Sequence, residues 1–168
     1  MFSKNLISVP ICINEKFSTI EYLVLNHSCT IRELISLLYH TPNLRFLICD
    51  ELDGDNDILQ KNIPLSLPNL IHLSFLRCTA EFNTLELFLK NISSHLRILK
   101  LRTMEMMEYL DLHRWRRLIK RHLPHLVEFH FTYEAFDYDT NYLASIFQSI
   151  NRFTSKFWIG RQCLFECW

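Results

Sequence analysis

Apolar residues recur along this chain in one short phrase: an apolar residue, two variable positions, an apolar residue, one variable position, and an apolar residue. It reads Ile20-Glu21-Tyr22-Leu23-Val24-Leu25, then Leu44-Arg45-Phe46-Leu47-Ile48-Cys49 and Leu70-Ile71-His72-Leu73-Ser74-Phe75. Two further copies are Leu96-Arg97-Ile98-Leu99-Lys100-Leu101 and Leu126-Val127-Glu128-Phe129-His130-Phe131. The alternation that ends each phrase has the two-residue period of a strand with one buried face. The copies start 24, 26, 26 and 30 residues apart. Each of the last four is preceded by a helix-stopping lead-in: Thr41-Pro42-Asn43, Leu67-Pro68-Asn69, Ser93-Ser94-His95 and Leu123-Pro124-His125. Proline there halts a helix and sets an extended entry.

Helical spacing fills the intervals. Thr30 to Glu33 has the form of a capping box before Ile31, Leu34, Ile35 and Leu38. Asn83 to Glu86 repeats that form before Leu85, Phe88, Leu89 and Ile92. A fourth pattern runs from Glu105 to His122, with Met107, Leu110, Trp115, Leu118 and Ile119 along its apolar stripe. The fifth uses Leu143, Ile146, Phe147 and Ile150. The second interval is polar and allows a turn or two from Ile58 to Ile63. Strand then helix at this period predicts a stacked βα array, in which neighbours cover each unit's apolar face.

Phrase and period together resemble the leucine-rich-repeat family over residues 20–155. The resemblance implies an α/β fold: a leucine-rich-repeat solenoid of about five βα units, with a parallel concave sheet and convex helices. The family's asparagine position is occupied here by Ser28, Leu52, Cys78, Met104 and Glu134, so its hydrogen-bond ladder is largely missing. With the uneven unit lengths, this resembles the irregular repeats of F-box-type ubiquitin-ligase substrate receptors more than regular extracellular arrays. That resemblance implies non-catalytic protein recognition and a link to ubiquitination. No F-box pattern is present, since the 19 residues before the first repeat are too few for its helices.

A single domain is expected over 1–168. Residues 1–19 form an N-terminal cap strand, alternating Ile7, Val9, Ile11 and Ile13, with Pro10 suited to an edge. Five repeats occupy 20–155, and 156–168 holds a sixth strand through Phe157 and Ile159 and a C-terminal cap.

Composition narrows the function. The chain has 28 leucines but only two glycines, Gly54 and Gly160, which excludes the glycine-rich phosphate loops and dinucleotide fingerprints. Eighteen basic residues offset 18 acidic ones, so no global field attracts nucleic acid or an anionic membrane. No apolar run is long enough to span a bilayer, and the start lacks a signal-peptide cleavage site. An intracellular setting, cytoplasmic or nuclear, is expected, with the six cysteines reduced.

Local chemistry is sparse. Asp53, Asp55 and Asp57 imitate the start of a calcium loop, but Ile58 and Pro64 stand where glycine and glutamate are needed. Cys163 and Cys167 lack a second ligand pair at zinc spacing, and Cys12, Cys29, Cys49 and Cys78 read as small core residues. His122 and His125 belong to no catalytic pattern. The expectation is a chain that is not an enzyme and uses no metal or cofactor. The run from His113 to His122, with Arg114, Arg116, Arg117 and Lys120, offers the alternative of an RNA or acidic partner.

Outward strand positions give the sharpest functional reading. Across the strands they make a first row of Tyr22, Phe46, His72, Ile98 and Glu128, and a second of Val24, Ile48, Ser74, Lys100 and His130. A third comprises Asn26, Asp50, Leu76, Arg102 and Thr132. The block Tyr22, Val24, Phe46 and Ile48 is apolar where a solvated sheet is polar, and Lys100, Arg102, Glu128 and His130 lie beside it. An exposed apolar block rimmed by charge is expected to bind a protein.

Overall fold

A computed structural model of the chain describes residues 19–54, 67–92, 95–135 and 155–167, together with Ala144, Ile146, Gln148, Ser149 and Phe153. The fold is α/β. Its elements in order are β1 Tyr22–Thr30, α1 Ile31–His40, β2 Phe46–Asp53, β3 His72–Cys78, α2 Phe82–Ile92 and β4 Ile98–Met104. A 3₁₀ turn Met107–Leu110 leads into α3 Leu112–His122, then β5 Glu128–Glu134, the short α4 Lys156–Ile159 and β6 Leu164–Cys167. The strands form one sheet in the order β1-β2-β3-β4-β5-β6, and every neighbouring pair is parallel.

The repeated lead-ins act as identical turns. Leu44, Leu70 and Leu126 each donate a backbone hydrogen bond to the residue three earlier, Thr41, Leu67 and Leu123, at 3.1 Å. Proline sits second in all three, where its fixed φ matches a tight turn. Each turn feeds the next strand in the same way. The carbonyl of Glu21 accepts from Arg45 and Phe46, that of Arg45 from Ile71 and His72, and that of Ile71 from Arg97 and Ile98. Arg97 does the same for Val127 and Glu128. Side chains repeat too: Asn69 donates to Asn43 at 3.2 Å, and His125 stacks on His95 with centroids 5.6 Å apart.

Inward strand positions pack in one continuous core with the apolar faces of the helices: half-buried Leu23, then Leu47, Leu73, Leu99 and Phe129 in one row, and Leu25, Cys49, Phe75, Leu101 and Phe131 in the next. The capping box at α1 is present, with Glu33 N donating to the Thr30 hydroxyl and Thr30 N to the Glu33 carboxylate. Ile31, Leu34 and Leu38 are its buried face.

Several expectations are corrected. Asn83 does not cap α2, which begins one residue earlier because Phe82 is drawn into the core against Tyr109 and Trp115, with ring centroids at 5.1 and 4.8 Å. The helix expected from Glu105 is interrupted at Asp111, whose carboxylate accepts from His113 N and Arg114 N and so starts α3. Met107 lies outside α3 and is exposed. Phe157 and Ile159 do not form the sixth strand; they belong to α4. A strand there would have turned Trp158 outward, whereas the helical turn buries it against Phe129 and Phe153. The sixth strand is Leu164–Cys167. The cap strand over Ile7 to Ile13, the short helix over Ile58 to Ile63, and Leu143, Phe147 and Ile150 lie outside the described residues; Ile146 is helical and buried.

Candidate functional site: the outward sheet face

Strand pairing assembles the first two outward rows as parallel register requires. Tyr22, Phe46, His72, Ile98 and Glu128 are successive partners, as are Val24, Ile48, Ser74, Lys100 and His130. Leu164 of β6 extends the second row beyond His130. The third row does not hold as drawn. Register shifts between Leu25 and Ser28 and between Phe75 and Cys78 each insert one extra residue, so Asn26 falls out of line with β2 and Leu76 with β4, while β2 and β3 keep one register throughout. Arg102 is still paired with Thr132, and Thr132 with Glu166.

The same bulges change which residues align after the repeated phrase. Cys29, Leu52, Cys78, Thr103 and Tyr133 come into register, rather than Ser28, Met104 and Glu134. Four of the five are apolar or aromatic. Two hydrogen bonds tie neighbouring units together here: the Thr103 hydroxyl donates to the Cys78 carbonyl (3.0 Å) and the Tyr109 hydroxyl to the Ala80 carbonyl (2.6 Å).

At the β1 end the outward face is apolar. Tyr22 is 59% and Val24 40% exposed, while Phe46 and Ile48 are half-buried beside them. Tyr22, Phe46 and His72 form a tilted ring ladder with centroid separations of 6.0 and 5.9 Å. Arg45 lies 5.8 Å from the Phe46 ring centre, and pairs with Glu21 at 3.3 Å. Ser74 is buried in the middle of the face.

Toward β5 the face turns ionic. Glu128 gathers Lys100 (3.7 Å) and His130 (2.8 Å) on one carboxylate oxygen, and Arg102 pairs with Glu134 at 3.4 Å. Arg77 and Glu51 make a further contact at 3.8 Å between β3 and β2. These half-exposed pairs contribute little stability each, about 0–1 kcal/mol, but they fix long side chains in one arrangement. His72 stands at the boundary. Burial lowers its pKa below the ordinary histidine value, and the nearby Lys100 and His130 charges add to this against the opposing pull of Glu128. The shift favours its neutral form, and in geometry it continues the aromatic ladder.

Thus all nine predicted residues, Tyr22, Val24, Phe46, Ile48, His72, Lys100, Arg102, Glu128 and His130, lie on strands β1 to β5 of the one sheet. Sequence reasoning missed Leu164, which is 51% exposed at the end of the second row; placing β6 too early hid it. It also missed the carboxylates of Glu51 and Glu134, whose partners are set by strand register.

Other candidates disperse. Asp53 accepts hydrogen bonds from the hydroxyls of Ser28 (2.6 Å) and Thr79 (2.8 Å), a local tie between strands. Cys29, Cys49 and Cys78 are buried thiols, and Cys163 is half-buried. Among the described residues, no group of three or more His, Cys, Asp or Glu side chains is placed to hold a metal ion, and no helix is long and apolar enough to cross a membrane. Comparison with family models, with curated proteins and with solved structures finds no match.

Proposed function

We propose that this chain is a protein-recognition module of the leucine-rich-repeat kind, built as a solenoid whose outward sheet face is concave and binds a protein partner without catalysis. One observation carries the reading: a contiguous apolar block, Tyr22, Val24, Phe46 and Ile48, occupies a sheet face that grades into polar and charged contacts around Glu128. Apolar contact supplies affinity at such a surface, and the charged flank supplies register and selectivity. The sequential parallel strand order and the identical turns support the repeat architecture. Resemblance to F-box-type receptors extends the proposal to substrate recognition in ubiquitin ligation.

The test is affinity capture with the intact chain and with Phe46→Asp and Lys100→Glu variants, followed by calorimetry on a purified captured partner. Phe46→Asp is expected to weaken binding by about 2 kcal/mol or more, as for a central aromatic anchor. Lys100→Glu should change mainly the on-rate and its salt dependence. Unchanged affinity in both variants overturns the assignment of this face.

A further inference from the structure

Two buried thiols meet on the core side of the β1–β2 pair. Cys29 and Cys49 have their sulfurs 3.3 Å apart. They are not direct strand partners: Cys29 aligns with Leu52, and Cys49 with Leu25. The sulfurs meet because that of Cys49 lies toward the end of β2, 3.4 Å from the Glu51 carbonyl oxygen, and because β1 takes one extra residue between Leu25 and Ser28.

The two thiols differ in access and in acidity. Cys29 keeps 6% of its surface exposed and Cys49 0%. Donation from Cys49 lowers the Cys29 pKa below the ordinary 9.0, against burial and the Glu33 and Asp53 carboxylates, which raise it. The same bond, burial and the Cys29 charge push Cys49 up. Thiolate is the attacking form of cysteine, so Cys29 is the nucleophile and Cys49 the partner that resolves it. Cys78 is the contrast: it is buried against the Tyr109 hydroxyl at 3.3 Å, and burial raises its pKa.

We propose that Cys29 and Cys49 form a peroxide-responsive dithiol that closes into a disulfide tying β1 to β2. The Cys29 thiolate attacks one oxygen of a hydroperoxide. The O–O bond breaks, an S–O bond forms, and the leaving alkoxide or hydroxide takes up the proton that Cys29 released. The Cys49 sulfur then attacks the sulfenic sulfur. An S–S bond forms, the S–O bond breaks, and hydroxide leaves as water with the Cys49 proton. Together the two sulfurs lose two electrons, which reduce the peroxide. A disulfide holds its sulfurs at about 2.0 Å, so the pair must close by roughly 1.3 Å more. The β1 bulge, where the ladder is already interrupted, is where the backbone takes up that movement. The same two strands carry Tyr22, Val24, Phe46 and Ile48 outward, but this chemistry needs no partner there, so it stands or falls separately from the sheet face.

The intact chain should be treated with a few equivalents of hydrogen peroxide, its free thiols alkylated under denaturing conditions, and an unreduced digest mapped by mass spectrometry. Trypsin places Cys29 in peptide 17–32, Cys49 in 46–61 and Cys78 in 78–90, one cysteine in each. Peptides 17–32 and 46–61 are expected to appear joined, lighter by two hydrogens, and to separate with dithiothreitol. Oxidation of Cys78 should be slower by about tenfold or more. In Cys49→Ser, Cys29 should stall as a sulfenic acid that dimedone captures, whereas Cys29→Ser should leave Cys49 reduced. Recovery of both peptides alkylated and unlinked from the peroxide-treated chain overturns the proposal. So does oxidation of Cys78 at an equal rate, which would mark reaction through the unfolded chain rather than at the pair.

Discussion

Cys78 shows how one buried side chain couples packing to pH. Its thiol is fully enclosed and 3.3 Å from the Tyr109 hydroxyl, and burial pushes its pKa up to about 11 from an ordinary 9.0. Burial and the neighbouring Cys78 also raise the Tyr109 phenol. A raised pKa means that the folded chain holds the proton more tightly than the unfolded chain. The stabilisation is complete below about pH 9 and drains away as pH climbs toward about 11, with a ceiling of a few kcal/mol for a shift of this size. Urea midpoints should therefore fall between pH 8 and pH 10.5, and Cys78→Ala should show a smaller fall. An equal pH dependence in the variant would show that Cys78 is not responsible. Cys29 and Cys49, with sulfurs 3.3 Å apart in the core, illustrate the limit of sequence at this scale. Their small size suited burial, but the β1 bulge, not the repeat, brought them together.

Helix boundaries turned on single polar residues. The apolar spacing from Glu105 onward suits one long helix, yet Asp111 offers a capping carboxylate to His113 N and Arg114 N, at 2.9 and 3.1 Å, and the helix restarts there. Replacing Asp111 with alanine should cost about 1 kcal/mol, measured by thermal or urea unfolding, and asparagine should recover most of it. A negligible loss with alanine would show that the preceding 3₁₀ turn, rather than the cap, sets the boundary. At α2 the competition went the other way. Asn83 and Glu86 match a capping pattern, but α3 recruits both through Arg114. Such a pairing joins residues 28 and 31 positions apart and leaves no local trace.

At the scale of the whole molecule, aromatic packing between α2, α3 and β5 anchors the second half of the core. Trp115 is fully buried, with Phe82 and Phe129 ring centres at 4.8 and 4.9 Å, and its Nε1 donates to the Tyr109 carbonyl at 2.8 Å. Trp115→Ala is expected to destabilise by about 3–5 kcal/mol, a large part of a typical domain's 5–15. Chemical denaturation measures this, and a loss below 1 kcal/mol would mean that the cluster repacks freely. Local sequence determined the five strands, three of the turns that enter them, the α1 cap and the first two outward rows, because one buried face per strand is written every second residue and turns and caps in a few adjacent positions. Tertiary structure alone decided where bulges break the third row, which arginines are neutralised, and that Trp158 turns inward to delay β6 until Leu164. Each of those outcomes is a competition between groups distant in sequence, settled by which of them the shared core and the charged partners can accommodate.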